Sequence, residues 1–219
     1  YGVAVPFFIM TSDVNHAATV AHFEENDWFG LHKKDVFIFP QNMIPSLDTE
    51  GKLILSGKGS IFKNPDGHGG SLTALRTSGA LDEMKKRGIE IISYFQVDNP
   101  MVSILDPVFV GFHHMEKAEV SSKALVKAYA GEKVGVFVRW KDGREGVVEY
   151  SDLPEEKMTA TNKDGSLTYA AGSIAIHLFS REYIERITSG GSLSLPFHVA
   201  RKKIRKYTAQ GTSVIDCFK

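Results

Sequence analysis

Apolar residues run almost without interruption from Val3 to Met10, which predicts a strand buried on both faces, as in a parallel sheet. Thr11, Ser12 and Asp13 then offer caps for a helix from His16 to Glu25. Asp35 to Phe39 predicts a second strand, ending at Pro40. A loop region with Pro45, Gly51, Gly57 and Gly59 follows, with a short hairpin strand over Lys52 to Leu55. Leu72 to Thr77 and Leu81 to Lys86 predict a helix pair, with Gly88 placed to terminate the second member. Ile89 to Phe95 is a third apolar run of strand length. Asp106-Pro107 combines a cap with proline at the first helical position, so Val108 to His114 predicts a short helix.

The pattern changes beyond this point. Val134 to Trp140 and Gly146 to Tyr150 flank Lys141-Asp142-Gly143-Arg144, and Asp-Gly between alternating apolar runs signals a hairpin. Thr161 to Gly165 is a further turn, and Ala170 to Phe179 a further strand or strand-to-helix junction. Ser180 caps a helix ending near Thr188, closed by Gly190-Gly191. Strands alternating with helices, then strand and hairpin, describe a three-layer α/β domain with an antiparallel extension. No linker is long enough to demand a second domain.

Composition narrows the function classes. With 219 residues and 42% hydrophobic content, the chain is large enough for a sizeable core. The formal net charge of +0 argues against nucleic acid as the main partner. The run Arg201-Lys202-Lys203 with Arg205-Lys206 is a local exception, equally at home on a solvated strand face. The single cysteine, Cys217, excludes an internal disulfide framework and fits a reducing, cytoplasmic compartment. No apolar run reaches the length of a membrane span, and the start does not read as a signal peptide. The chain opens on Tyr1 within an apolar run and stops at Lys219 without a tail, so it is expected to be a piece of a longer protein.

Two segments carry candidate chemistry. Pro65-Asp66-Gly67-His68-Gly69-Gly70 is a glycine-rich turn opening a helix expected from Ser71 to Thr77. Such a turn lets backbone amides approach a flat base or an anion. Gln96-Val97-Asp98-Asn99-Pro100 places an acid just after the third apolar run, where α/β sheets position ligands and metals. Together they suggest a nucleotide site. An ordinary turn would also use these glycines, and a cap or turn acid would also account for Asp98. His113, His114 and His198 have no metal-ligand spacing and read as structural. No nucleophile elbow supports a hydrolase.

Ordered matches then run nearly end to end. They include Ile9-Met10-Thr11-Ser12, Gln41 with Met43 and Pro45, Pro65 to Gly70, Val97-Asp98-Asn99 and Asp106-Pro107. They continue through Lys133 to Val136, Val147 to Ser151, Ala171-Gly172 with His177, and His198-Val199-Ala200. On these residues the chain resembles the UDP-sugar pyrophosphorylases, most closely the UDP-N-acetylglucosamine pyrophosphorylase type. The resemblance implies a Rossmann-like, GT-A-like nucleotidyltransferase domain, truncated here at both ends. It implies transfer of a uridylyl group from UTP to a sugar-1-phosphate, with Mg²⁺ as cofactor and neither nucleic acid nor membrane as partner.

By the same resemblance, Gln41 and the Gly67 backbone read the uracil edge, and a glutamine amide supplies the donor and acceptor this needs. His68 contacts nucleotide or sugar. Asp98 holds Mg²⁺ against the phosphates as a hard oxygen ligand. Gly135 and Glu149 bind sugar hydroxyls, a carboxylate accepting strongly from two of them, and Lys219 matches a lysine at the phosphates. The bland alternatives are a loop amide for Gln41 and an exposed hairpin carboxylate for Glu149.

The chain departs from the family at three places. The family's glycine-rich phosphate loop lies before Tyr1, so the isolated piece is expected to be inactive. Asparagine is usual where this chain has His68 and Ser173, so an altered sugar preference is expected beside a weak lean to the acetylated sugar over glucose. The family's aromatic segment lies beyond Lys219. A UDP-sugar glycosyltransferase would show a second acid after Asp98, where Asn99 stands. A non-catalytic binding module is the remaining alternative.

Overall fold

The computed structural model describes residues 2–190 and 201–218. Tyr1, Gly191, His198 and Lys219 lie outside them. The fold is mixed α/β, as the patterning implies. The chain forms two compact units, Tyr1–Gly88 with Ile184–Lys219, and Ile89–Tyr183.

In the first unit, strands Phe7–Thr11 and Val36–Pro40 pair in parallel, with Phe7 opposite Val36. Among the described residues this is the one parallel pairing. The first strand begins later than the apolar run suggests, and Val3 and Val5 are exposed. Its partner ladder starts only at Val36, after the 3-10 turn Lys33–Asp35, so residues before Phe7 have nothing to pair with. Helix His16–Glu25 has the expected bounds, but Asn15 occupies its N-cap. Asn15 Oδ1 instead accepts from the Ser12 backbone amide at 2.7 Å.

The glycine turn is itself helical. The helix spans Gly67–Thr77, four residues earlier than the expected start at Ser71, and buries Ser71, Leu72, Ala74 and Leu75. A second helix, Ala80–Lys86, follows and ends at Gly88, whose φ of 69° is the left-handed value expected after a helix terminus. Arg87 ties this helix end to the parallel pair. Its guanidinium donates to Asp35 Oδ1 and Lys34 O, both at 2.7 Å, and lies 4.8 Å over the Phe37 ring.

The expected hairpin strand at Lys52 to Leu55 is displaced to Leu55–Gly57 paired with Ser60–Ile61. Asp48 causes the shift: its Oδ1 accepts from the Glu50 and Lys52 amides at 3.0 and 2.9 Å, holding that stretch as a turn. Strands Arg201–Thr208 and Gly211–Phe218 form a long hairpin. Phe218 pairs with Leu47 and Cys217 with Asp48, and Lys206 Nζ donates to Asp48 Oδ2 at 3.3 Å. Cys217 is fully buried there, while Lys202, Lys203 and Arg205 face solvent.

The second unit is built on Ala171–Ser180. This strand pairs antiparallel with Ile91–Tyr94, Val120–Val126 and Val136–Arg139, and the last also pairs with Glu145–Val148. Val136 and Leu178 form its most buried points. The third apolar run therefore makes an antiparallel strand of Ile91–Tyr94. Helix Pro107–Met115 starts at the Asp106-Pro107 signal, with Asp106 Oδ1 accepting from Val108 N at 3.0 Å and Phe109 N at 3.2 Å. No helix among the described residues is long and apolar enough to cross a membrane.

Candidate functional site

In the first unit, backbone pairing brings the two uracil-reading candidates to one end. Met43–Pro45 pairs antiparallel with Lys63–Pro65, Met43 facing Pro65. Just past that pair, Asp66 N donates to Asn42 O at 3.4 Å. Gln41 and Gly67 continue the two chains in the same direction. Gln41 is fixed by its own amide, which donates to Thr11 O at 2.7 Å at the end of the first strand. Gln41, Asn42, Met43 and Lys63 line an open cavity of about 350 Å³.

Gly67 opens the helix with φ 83°, a conformation glycine adopts without strain. The first amides of a helix have no intrahelical acceptor. His68 is exposed in this first turn, and its carbonyl accepts from Ser71 Oγ at 2.6 Å. The Asp66 carboxyl is pushed above its ordinary range by burial, against hydrogen bonding from its own backbone and from Asn42.

In the second unit three candidates converge. Gly135 O accepts from Ser173 N at 2.8 Å. A Cβ on Gly135 would lie 2.7 Å from Val147 Cγ1 and 3.5 Å from Glu149 Oε1, so its backbone and the Glu149 carboxylate are near neighbours. Glu149 is exposed, and its carbonyl accepts from the Asp152 and Leu153 amides at 3.0 and 3.1 Å, fixing its backbone. Gly135→Ala would push into Val147, which explains a glycine at a buried position beside a polar site.

Ser173 begins an irregular stretch of the central strand, whose register shifts between Ser173 and His177. Ala175, inside the shift, has φ 53°. Bulges of this kind re-aim neighbouring side chains next to sites. Nothing in an alanine announces a left-handed backbone. Asn42 carries no motif signal of its own, and Asp66 is marked only by standing in the glycine motif.

Asp98 is exposed in the turn after Ile91–Tyr94. Tyr94, the last residue of that strand, pairs with His177, one limit of the irregular stretch. Among the described residues, no three His, Cys, Asp or Glu side chains cluster to hold a metal. A single exposed carboxylate suits Mg²⁺, which keeps several waters and takes its other ligands from substrate phosphates. Lys219 lies outside the described residues.

The family model for UTP–glucose-1-phosphate uridylyltransferase matches residues 1–218. The chain belongs to this uridylyltransferase family. Among relatives, the mouse UDP-N-acetylhexosamine pyrophosphorylase-like protein 1 is 39% identical over 210 residues, covering 96% of this chain and 41% of that protein. The Arabidopsis UDP-N-acetylglucosamine diphosphorylase 2 is 37% identical over 204 residues, covering 92% and 41%. Among solved structures, the Trypanosoma brucei UDP-N-acetylglucosamine pyrophosphorylase in complex with an inhibitor superposes with a TM-score of 0.86. It is 31% identical, over 99% of this chain and 43% of that one. The chain thus spans about two fifths of the length of the curated relatives it matches. The Gln41–Gly67 and Gly135–Glu149–Ser173 groups are candidate residues that the backbone of the described residues brings to common places.

Proposed function

We propose that the full-length protein transfers a uridylyl group from UTP to a hexose-1-phosphate. N-acetylglucosamine-1-phosphate is the leading substrate and glucose-1-phosphate the second. Residues 1–219 are part of one catalytic domain of that protein, which is placed in the cytoplasm. The observation that supports the reading is the backbone pairing that brings Gln41 and the amide-rich start of helix Gly67–Thr77 to the same end of two paired strands, in a chain of this family.

In the reaction an oxygen of the sugar phosphate attacks the α-phosphorus of UTP. The bond from that phosphorus to the bridging oxygen breaks, and pyrophosphate leaves. No covalent nucleophile is required; alignment and charge neutralisation carry such transfers. Gln41 pairs its amide with the uracil edge while the Gly67 amide approaches the base. Glu149 accepts from sugar hydroxyls beside the Gly135 backbone, with Ser173 and His68 shaping the sugar side. Asp98 is the residue that would hold Mg²⁺. When bound, the ion would offset negative charge on the phosphates.

Base selection tests the reading. With its amide held in one orientation, Gln41 complements uracil, whereas cytosine reverses the donor and acceptor and leaves the pair mismatched, at about 1–3 kcal/mol. Competition of UTP and CTP against a labelled uridine nucleotide on the full-length protein is expected to favour UTP by at least about tenfold. Gln41→Ala is expected to remove most of that preference. Equal binding of UTP and CTP by the unaltered protein would reject the role.

A further inference from the structure

We infer that Asp66 is a positioning residue for the base-binding turn, and that residue 70 is glycine so that the Asp66 carboxylate can occupy its side-chain space. The inference rests on the uridine-binding reading above. Asp66 stands at the N-cap of helix Gly67–Thr77, yet its side chain makes no cap hydrogen bond. Its Oδ1 is buried without a hydrogen-bond partner. An aspartate serving as an ordinary cap would bond the second or third helical amide. This one is turned elsewhere.

Gly70 shows where. A Cβ built there would lie 1.8 Å from Asp66 Oδ1, 2.1 Å from Cγ and 2.5 Å from Oδ2. The carboxylate fills the volume that any other residue would need. On its other side, Asn42 accepts from the Asp66 amide at 3.4 Å and hydrogen-bonds the carboxyl with its side chain. Asp66 therefore wedges the Gln41-Asn42 link against the first helical turn. Gly67 lies between wedge and helix, so the position of its amide relative to Gln41 depends on the wedge. A buried unpaired acceptor is costly, and its retention calls for a use. Fixing the gap between two base-reading elements is such a use.

The test is a double-mutant cycle on the full-length protein, reading UTP and CTP dissociation constants by calorimetry. Gly70→Ala leaves every polar group of the site in place, and alanine ordinarily favours a helix over glycine. Here it is expected to weaken UTP about tenfold and CTP by less than about threefold, without lowering the unfolding midpoint. Asp66→Ala is expected to do the same. Asp66→Asn, which keeps the shape, is expected to stay within about threefold of the parent. Adding Asp66→Ala to Gly70→Ala removes the clash, so the pair is expected to be no worse than Asp66→Ala alone. Unchanged UTP preference in Gly70→Ala, or a double variant whose loss is the product of the single losses, would overturn the inference. A parent protein that fails to prefer UTP would overturn the uridine reading itself.

Discussion

Asp98→Ala is expected to cut turnover of the full-length protein at least about a hundredfold, the scale of losing one preorganised charge contact in a reacting site. The fold is expected to tolerate the change. Asp98 is exposed in a turn beyond the last residue of Ile91–Tyr94 and anchors no described element, so the unfolding midpoint should not move. That separation makes the experiment clean. Turnover should stay low at every Mg²⁺ concentration, because alanine has no oxygen to offer the ion. Near-normal turnover at any Mg²⁺ concentration would remove Asp98 from the phosphate end of the site.

Glu149→Gln is expected to raise the apparent constant for the sugar-1-phosphate about 10- to 100-fold while leaving that for UTP within about threefold. Hydrogen bonds to a charged group are worth about 1.5–3 kcal/mol, and the amide keeps the shape while losing one acceptor and the charge. Glu149 is suited to this role because its backbone is fixed by the Asp152 and Leu153 amides while its carboxylate stays exposed beside Gly135. Equal effects on both substrates would make Glu149 a support of the hairpin end. Running glucose-1-phosphate beside N-acetylglucosamine-1-phosphate on the same variant reads out what Ser173 and His68 do to the sugar preference.

Features written in a few adjacent residues were legible from the sequence. Asp106-Pro107 starts a helix because one carboxylate and one fixed φ suffice, and the amides of Val108 and Phe109 confirm it. Asp142-Gly143 turns the hairpin between Val136–Arg139 and Glu145–Val148 for the same local reason. Strand direction was not legible. Ile91–Tyr94 is as apolar as a parallel strand, but an apolar run carries no arrow, and its partner Ala171–Ser180 lies some eighty residues on. The helical start at Gly67 was hidden because three of its first four residues are glycines, poor helix formers; the burial of Leu72 and Leu75 overrides them.

The candidate site divides along the same line. Gln41, Gly67, Gly135, Glu149 and Ser173 were named from ordered matches, and pairing places them in two groups. The Asp66 wedge was invisible because it exists only as a shape shared with Gly70. The irregular stretch around Ala175 was invisible because a register shift belongs to two strands at once.

The burial of Cys217 supplies a clock. It is the sole thiol of the chain, sealed where the Arg201–Thr208 and Gly211–Phe218 hairpin meets Asp48. A thiol reagent reaches it once that hairpin lifts, so the modification rate at low denaturant counts openings that release this hairpin. Because Lys206 latches the hairpin to Asp48, cutting that latch should speed the clock with no reporter group added to the protein.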